Sequence, residues 1–557
     1  MGRRAGSACT SRKAEPRAGL GAALTRRYDA VAIGSGINSL VAGALLAKAG
    51  WSVCVLERND WLGGAIRTAE ITKPGFVHEV FASWHPLFTG SAAYAELEGD
   101  LTARGLEYLN TDLPTATLFP DGESVFLTTS HERNVETLGP AWERTVREFM
   151  PNAELAFGVL SSELWSRDGA RLAWKALRSL GLRGLVEFTG SVLVSCRDWA
   201  GETFDDERAH GLFAPWVLHT GLGPDAASSG FMAQVIGVAI EIGGMPVPRG
   251  GGVKLVEALA GIVGDSGGVC EIGREVERIV VSDSRATGVR TADGEEIEAA
   301  RAVLANVTPQ QLYGGLLGAG ERVVAEARRF RFGRGEMQIH FALSEPPDWR
   351  GDERLGRTAI LHLTPGLDGV SRAVNEAERG LLPAEATVVV GQPMAVDPSR
   401  APEGSWIFWI QLQEVPSRPK GDAAGELDTG NGTWTEELRE RYADRIQARI
   451  AAHAPNLESS ILRRVVLSPA DIAATNPNMP GGDIYSGSCA LDQNLLWRPR
   501  PGLPGHRTSV DGLWHIGAST HPGPGLGAGS GTLVAKQLLR PSLAQRLGVQ
   551  KSIRSAE

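Results

Sequence analysis

Gly34-Ser35-Gly36, with Ser39 just after it and Glu57 twenty-one residues beyond Gly36, are residue types at a spacing that can hold a pyrophosphate and a ribose. Gly34 permits a tight turn, and Gly36 removes the Cβ that would obstruct a phosphate. A helix opening at this point offers unpaired backbone N–H groups to the anion, and the Glu57 carboxylate can accept hydrogen bonds from an adenosine ribose. Ser39 stands where the fingerprint has Gly or Ala for close helix–strand packing, and serine is only a little larger. The elements that must position these groups are legible around them. Residues 30–33 form an apolar run; Leu40, Val41, Ala44, Leu45 and Ala47 recur with helical period; residues 53–56 form a second apolar run that ends at Glu57. Strand, glycine turn, helix and strand make a dinucleotide-binding βαβ unit, whose alternative is an ordinary tight turn in a chain with 69 glycines.

Other polar residues gather downstream. Gly63-Gly64 has a use if the chain passes close to a long cofactor that continues across the sheet. Residues 74–87 concentrate His78, Glu79 and His85 among aromatics, which reads as the lining of a flavin and substrate cavity; the alternative is a surface loop whose histidines are satisfied by backbone. Near the C-terminus, residues 513–516 read as a strand, 517–531 as a glycine-rich loop and 532–539 as a helix, an arrangement that presents N–H donors to a ring system or a second phosphate. His521 in that loop is either a proton acceptor or the polar fastening of the turn, and the second role is favoured because no carboxylate lies close in sequence to orient a base. His340 and Gln411 alternate with apolar residues and are expected on an opposite wall.

Composition bounds the remaining choices. The 557 residues suit two or three domains, and 42% hydrophobic with 22% charged residues describes a globular chain. A net charge of -9 disfavours nucleic acid as the main partner. Five scattered cysteines without a CxxC pair suggest a reducing compartment and no metal site. The first 27 residues are basic without an apolar core, so a flexible tail is expected, with organellar targeting as the alternative to a cytoplasmic location. No eighteen-residue apolar run occurs, although residues 171–183 form a basic amphipathic segment suited to a membrane face, a cavity cover or a solvated lobe. Short strands are expected at 269–272, 275–281, 286–290, 296–299 and 302–306, with a hairpin at Asp293-Gly294, then strands at 338–343, 387–391 and 406–412 and a helix at 436–451. Gly221-Leu222-Gly223 is followed by Pro224, and residues 250–252 lack a preceding strand, so a second nucleotide domain is not expected.

With the motifs GSGINSLVAGALLAKAGWSVCVLERNDWLGGAIRT and WHIGASTHPGPGLGAGSG in view, the chain resembles the FAD-dependent phytoene desaturase-like oxidoreductases, within the wider flavin amine oxidase group. The resemblance runs over residues 28–539. It implies an α/β fold in which a doubly wound FAD-binding domain carries an inserted mixed α+β substrate domain and a helical lobe. The implied division is a basic tail at 1–27, FAD-binding segments at 28–140, 246–325 and 481–540, a helical lobe at 141–245, a second substrate segment at 326–480 and a tail at 541–557. It implies one FAD, with Gly34, Ser35, Gly36 and Ser39 at the pyrophosphate, Glu57 at the ribose and Arg58 and the Val276 backbone at adenine. Gly63, Gly64 and Ala65 would face the ribityl chain, and Gly517, Ala518 and Gly525 the flavin. Amine oxidases usually carry Gly-Gly-Arg where this chain has Gly63-Gly64-Ala65, and Pro524 interrupts the glycine run usual in the desaturase-like branch. The expected activity is dehydrogenation of a hydrophobic or polycyclic small molecule to a C=C bond. An amine or amino-acid oxidase and a noncatalytic FAD-binding scaffold are the alternatives. Oxygen or a quinone is the expected electron acceptor, peripheral membrane contact stays open, and His78, Glu79, His85 and His521 are the candidate proton acceptors.

Overall fold

The computed structural model describes residues 26–503 and 505–540. Its first sheet is ordered Val276–Ser282, Arg285–Thr291, Glu296–Asn306, Arg26–Ile33, Val53–Leu56, Val269–Glu271, and Leu513–Ile516 pairs with the end of Glu296–Asn306. The central pairs are parallel and the hairpin strands at one edge antiparallel. Parallel strands covered on both faces read as continuous apolar runs, as residues 30–33 and 53–56 do. On one face the helices Ile37–Lys48, Val253–Asp265 and Gly529–Leu539 bury Leu40, Val41, Leu255, Leu259 and Val534. The other face buries Val31, Ile33, Leu56, Val289 and Tyr313.

Two expectations change here. Residues 296–299 and 302–306 are one strand, Glu296–Asn306, because Arg26–Ile33 pairs along its length and carries it past Ala300-Arg301. The first strand takes in Arg26 and Arg27, which the sequence assigns to the tail; Arg26 donates to Glu271 at 3.0 Å and to the Tyr28 hydroxyl at 2.8 Å. The remaining tail residues, 1–25 and 541–557, lie outside the described residues.

A second sheet is ordered Ile461–Leu467, Gly335–Leu343, Trp406–Val415, Val388–Gly391, Ile360–Leu363, Thr115–Leu118, Ser124–Leu127. The last two strands form a hairpin from within the segment assigned by sequence to the first FAD-binding part, so the chain crosses to this sheet earlier than expected. One face is apolar: Met337, Ile339, Phe341, Phe408, Ile410, Leu412, Val388 and Val390 pack with the helix Glu436–Ala451. Strand alternation puts the other residues on the opposite face, and there the register aligns Gln338 with Gln411, His340 with Trp409 and Val389 with Gln411. A sheet with one oily and one polar face is a wall between a core and a cavity. The helices Pro140–Ser161, Arg167–Leu193, Cys196–Thr203, Glu207–Leu218 and Ser229–Gly243 form the lobe across from it. Arg167–Leu193 bends at Gly181, whose φ of 68° is left-handed.

Candidate functional site

A single cavity of about 1640 Å³ runs from the first glycine turn to the polar face of the second sheet. One small molecule ordinarily occupies roughly 300–1,000 Å³, so there is room for a dinucleotide and a second molecule end to end.

The nucleotide end is built on hydrogen-bonded turns. Gly34 has φ 81°, where glycine is favoured. Gly36 has φ -57°, so space rather than torsion requires it: a Cβ there would lie 3.1 Å from Asn306 Nδ2. Asn306 Nδ2 donates to Ser39 Oγ at 3.0 Å, and Asn478 Nδ2 donates to the Asn306 carbonyl at 2.9 Å. Serine at the third fingerprint position therefore meets a polar neighbour, and the departure from Gly or Ala has a cause. The helix Ile37–Lys48 starts without a side-chain cap and without an acidic residue in its first turn. Its leading N–H groups are suited to an anion, and Ser35, Gly36, Ile37 and Asn38 line the cavity there.

Glu57 is buried and has two duties. Its Oε2 accepts from Ser35 N at 2.9 Å and Ser35 Oγ at 2.7 Å, and its Oε1 accepts from Asn59 N at 2.9 Å. A carboxylate has about four acceptor positions, which leaves one for a ribose hydroxyl. Ser35 Oγ also accepts from Gly63 N at 3.0 Å, and a Cβ on Gly64 would lie 3.2 Å from Gly36 Cα, so the two glycine turns touch. Arg58, Gly63, Gly64, Ala65 and Val276 line the cavity as the resemblance implies, and so do Ala518 and Gly525. Ser39 and Gly517 do not: both sit behind the wall against Asn306, whose Oδ1 a Cβ on Gly517 would overlap. Asn306 was missed as a site residue, although a polar residue closing an apolar strand was the available signal.

The C-terminal loop is pinned from three sides. Gly517 N donates to Ser530 Oγ at 3.0 Å, Thr520 Oγ1 donates to Gly517 O at 2.8 Å, and Gly531 N donates to Asn38 Oδ1 at 3.0 Å. His521 Nε2 donates to Val159 O at 3.0 Å, tying the loop to the helical lobe, and its carbonyl accepts from His506 Nε2 at 2.8 Å. Burial pushes the His521 imidazole down to about 4.

None of the four candidate proton acceptors lines the cavity: His78, Glu79 and His85 depart there from the cavity lining expected of residues 74–87, whereas the fastening role was already the favoured one for His521. His78 Nε2 pairs with Thr72 Oγ1 at 2.7 Å, and its ring meets that of His340 edge-on at 5.5 Å; burial pushes it down to about 2. His85 Nδ1 pairs with the Tyr108 hydroxyl at 2.9 Å, and burial lowers it to about 3. Glu79 is bound to Arg400 at 2.7 Å and accepts from Gly252 N at 2.8 Å, and Arg400 also binds Asp397 at 3.1 Å and Pro248 O at 2.8 Å. Glu79, Arg400 and Asp397 are all fully buried, a clasp that joins the loop before the helix Val253–Asp265 to the second sheet's connections. Nothing in the sequence gave Glu79 its partner Arg400, 321 residues away.

Beyond the middle of the cavity the lining turns apolar, with Phe149, Phe231, Met232, Val235 and Ile236 from the helical lobe. Leu87, Met150, Phe157, Leu160 and Ile242 both line the cavity and are exposed, so its mouth is oily. At the far end Glu336, Trp409, Gln411, Tyr485 and His219 form the floor. Gln411 is on the wall, as expected; His340 is behind it.

The chain is similar to known proteins. The family model described as flavin containing amine oxidoreductase matches residues 40–370. A mouse protein named pyridine nucleotide-disulfide oxidoreductase domain-containing protein 2 is 27% identical, covering 94% of this chain and 95% of its own. Phytoene desaturase (neurosporene-forming) of Rhodobacter capsulatus is 26% identical over 91% of this chain and 93% of its own. Among solved structures, putrescine oxidase bound to putrescine superposes with a TM-score of 0.58 at 17% identity, covering 92% of this chain and 99% of that one.

Proposed function

As this chain belongs to the flavin containing amine oxidoreductase family and is an FAD-dependent oxidoreductase, we propose that it dehydrogenates a hydrophobic small molecule, forming a C=C bond. FAD, when bound, would supply the two-electron acceptor for a hydride from one carbon, and the proton lost from the neighbouring carbon as the C=C bond forms would leave to solvent. The chain's own contribution is position and exclusion of water. Ser35, Gly36, Ile37 and Asn38 would hold the pyrophosphate through backbone donors, Glu57 would accept a hydrogen bond from a ribose hydroxyl, and Ala518, Ser519 and residues 522–529 would wall in the ring. The observation that carries the proposal is one cavity that joins this cradle to an apolar chamber with an oily mouth. The phytoene desaturase relative acts on a substrate of that apolar kind. The expected test is anaerobic: adding candidate hydrocarbons and terpenoids one at a time, with loss of the flavin absorbance band as the readout and an alkene as the product.

The mouth supports a second part of the proposal, entry from a lipid surface. Leu87, Met150, Phe157, Leu160 and Ile242 are apolar and exposed around the opening, and Arg171, Arg178 and Arg183 lie on the adjoining helix, where anionic headgroups would find them. Among the described residues no helix is long and apolar enough to cross a membrane, so contact would be peripheral. Amine oxidation is the second reading, favoured by one observation, a carboxyl group on the chamber floor at Glu336. An imine rather than an alkene among the products would establish it.

A further inference from the structure

Glu336 is a buried carboxyl held neither by an arginine nor by backbone N–H groups, the latter being what hold Asp483 and Glu414. Glu79 and Asp397 share Arg400, and Asp422 is bound to Arg445 at 2.7 Å. Among the described residues no Lys or Arg forms an ion pair with Glu336, which is 2% exposed. Its contacts are two side-chain amides: Gln411 Nε2 donates to Oε2 at 2.7 Å, and Gln338 Nε2 donates to Oε1. All three side chains stand on the polar face of the second sheet, Glu336 and Gln338 on Gly335–Leu343 and Gln411 across from them on Trp406–Val415. A carboxyl buried without a cation is destabilising for a fold, and a leucine there would be cheaper. It is placed where the cavity ends.

Burial favours the neutral acid and pushes the carboxyl up to about 8, so at neutral pH its oxygens accept the two amides and its O–H remains to be donated. Of the neighbouring polar groups on the floor, Trp409 Nε1 has no hydrogen-bond partner, whereas Tyr485 and His219 are committed elsewhere. The Tyr485 hydroxyl donates to Leu218 O at 2.7 Å and accepts from Gln413 Nε2 at 3.1 Å, and His219 Nε2 is paired with His362 Nε2 at 3.1 Å. The other carboxylates that line the cavity, Glu57, Glu275 and Glu277, belong to the nucleotide end.

We infer that Glu336 anchors an oxygen-bearing head group: the substrate is an apolar body ending in a hydroxyl or carbonyl that sits on the chamber floor, an assignment that rests on the dehydrogenase reading of the chamber. Glu336 is then a specificity residue that fixes how deep the substrate enters, and hence which C–H bond stands at the ring. An ammonium head is the competing occupant, since its charge would favour ionisation of the carboxyl, and the amine probe below separates the two.

The experiment uses the FAD-loaded protein, the wild type and the variants Glu336→Leu and Glu336→Gln, with farnesol, its hydrocarbon counterpart bearing methyl in place of hydroxymethyl, and farnesylamine as probes. Binding is read anaerobically from perturbation of the flavin band, which needs no turnover. The wild type is expected to bind farnesol at least about tenfold more tightly than the hydrocarbon, the ratio one buried hydrogen bond supplies. Glu336→Leu should erase that preference while leaving hydrocarbon affinity and flavin content unchanged, and Glu336→Gln, which still has an N–H to donate, should keep part of it. Infrared difference spectra of wild type minus Glu336→Gln at pH 7 should contain a neutral carboxylic acid carbonyl band that shifts when farnesol binds, a readout that stands even if Glu336→Leu does not fold. Equal affinity for alcohol and hydrocarbon in the wild type, preference for the amine, or absence of the acid band would overturn the inference. Selective binding of farnesol with no bleaching by any tested compound would instead sink the dehydrogenase reading and leave the head-group assignment standing.

Discussion

At the scale of single residues, position rather than residue type separates cofactor contacts from structural polar groups. Gly36→Val adds branched atoms where even a Cβ would be 3.1 Å from Asn306 Nδ2, so the variant is expected to purify without FAD, as measured by flavin absorbance per chain. Glu57→Gln turns an NH₂ group toward either Ser35 N or Asn59 N, both donors, so weaker FAD binding should come with a lower unfolding temperature. Arg400→Met leaves Glu79 and Asp397 buried without a cation and should cost about 3–5 kcal/mol in denaturant unfolding, with flavin reduction unchanged in the protein that remains folded. His521→Asn should keep FAD and slow substrate-dependent flavin reduction by less than about tenfold, under about 1.4 kcal/mol in the barrier, because the ring fastens a loop to Val159. A thousandfold loss with flavin content intact would make it a proton acceptor. The sequence signal at His78, Glu79 and His85 was proximity in the chain to a glycine turn; what it lacked was the long-range partner, since a carboxylate that meets Arg400 reads in sequence like a carboxylate that faces a ligand.

At the scale of elements, runs with one strong period were legible and runs that depend on a distant neighbour were not. The helix Glu436–Ala451 and the strand Leu513–Ile516 follow from their own apolar periodicity, and the expected spans coincide with the observed ones. The strands Thr115–Leu118 and Ile360–Leu363 were not anticipated; they pair in parallel across more than 240 residues, and only the first has a local turn, residues 119–123, leading into its hairpin partner Ser124–Leu127. The polar face of the second sheet was legible only at His340 and Gln411, because alternation marks a half-buried strand without saying whether its polar side meets water or a cavity. The lobe's oily rim is an element-scale feature with its own test. Phe157→Ser combined with Ile242→Ser should weaken cosedimentation with anionic phospholipid vesicles by at least about tenfold, given about 1.5–3 kcal/mol per buried large apolar side chain, and should leave flavin content unchanged. Unaltered vesicle binding would remove the rim from the membrane proposal.

At the scale of the whole molecule, one dinucleotide cradle and one chamber open into each other, and the chemistry follows from that continuity. The same burial that makes the interior dry sets the protein's acid sensitivity. His78, His85, His340, His515 and His521 are buried, and burial lowers each of them to between about 2 and about 4. The unfolded chain, with imidazoles near 6.5, binds more protons, so this contribution to stability is present above that value and is lost as pH falls through it, by about 1.4 kcal/mol per histidine at pH 5.5. The unfolding temperature should therefore drop more between pH 7.0 and 5.5 than between 8.5 and 7.0, and a flat profile would contradict five buried neutral rings. The central claim is that electrons enter from an organic molecule in the chamber. A second nucleotide fingerprint is missing from the sequence, and the described cavity joins the one cradle to an apolar space. Anaerobic stopped-flow mixing of the FAD-loaded protein with NADH, with NADPH and with a panel of terpenoid alcohols and hydrocarbons decides it: the account predicts that a panel member bleaches the flavin and yields an alkene while both nicotinamides leave it oxidised, and rapid stoichiometric reduction by either nicotinamide would contradict it.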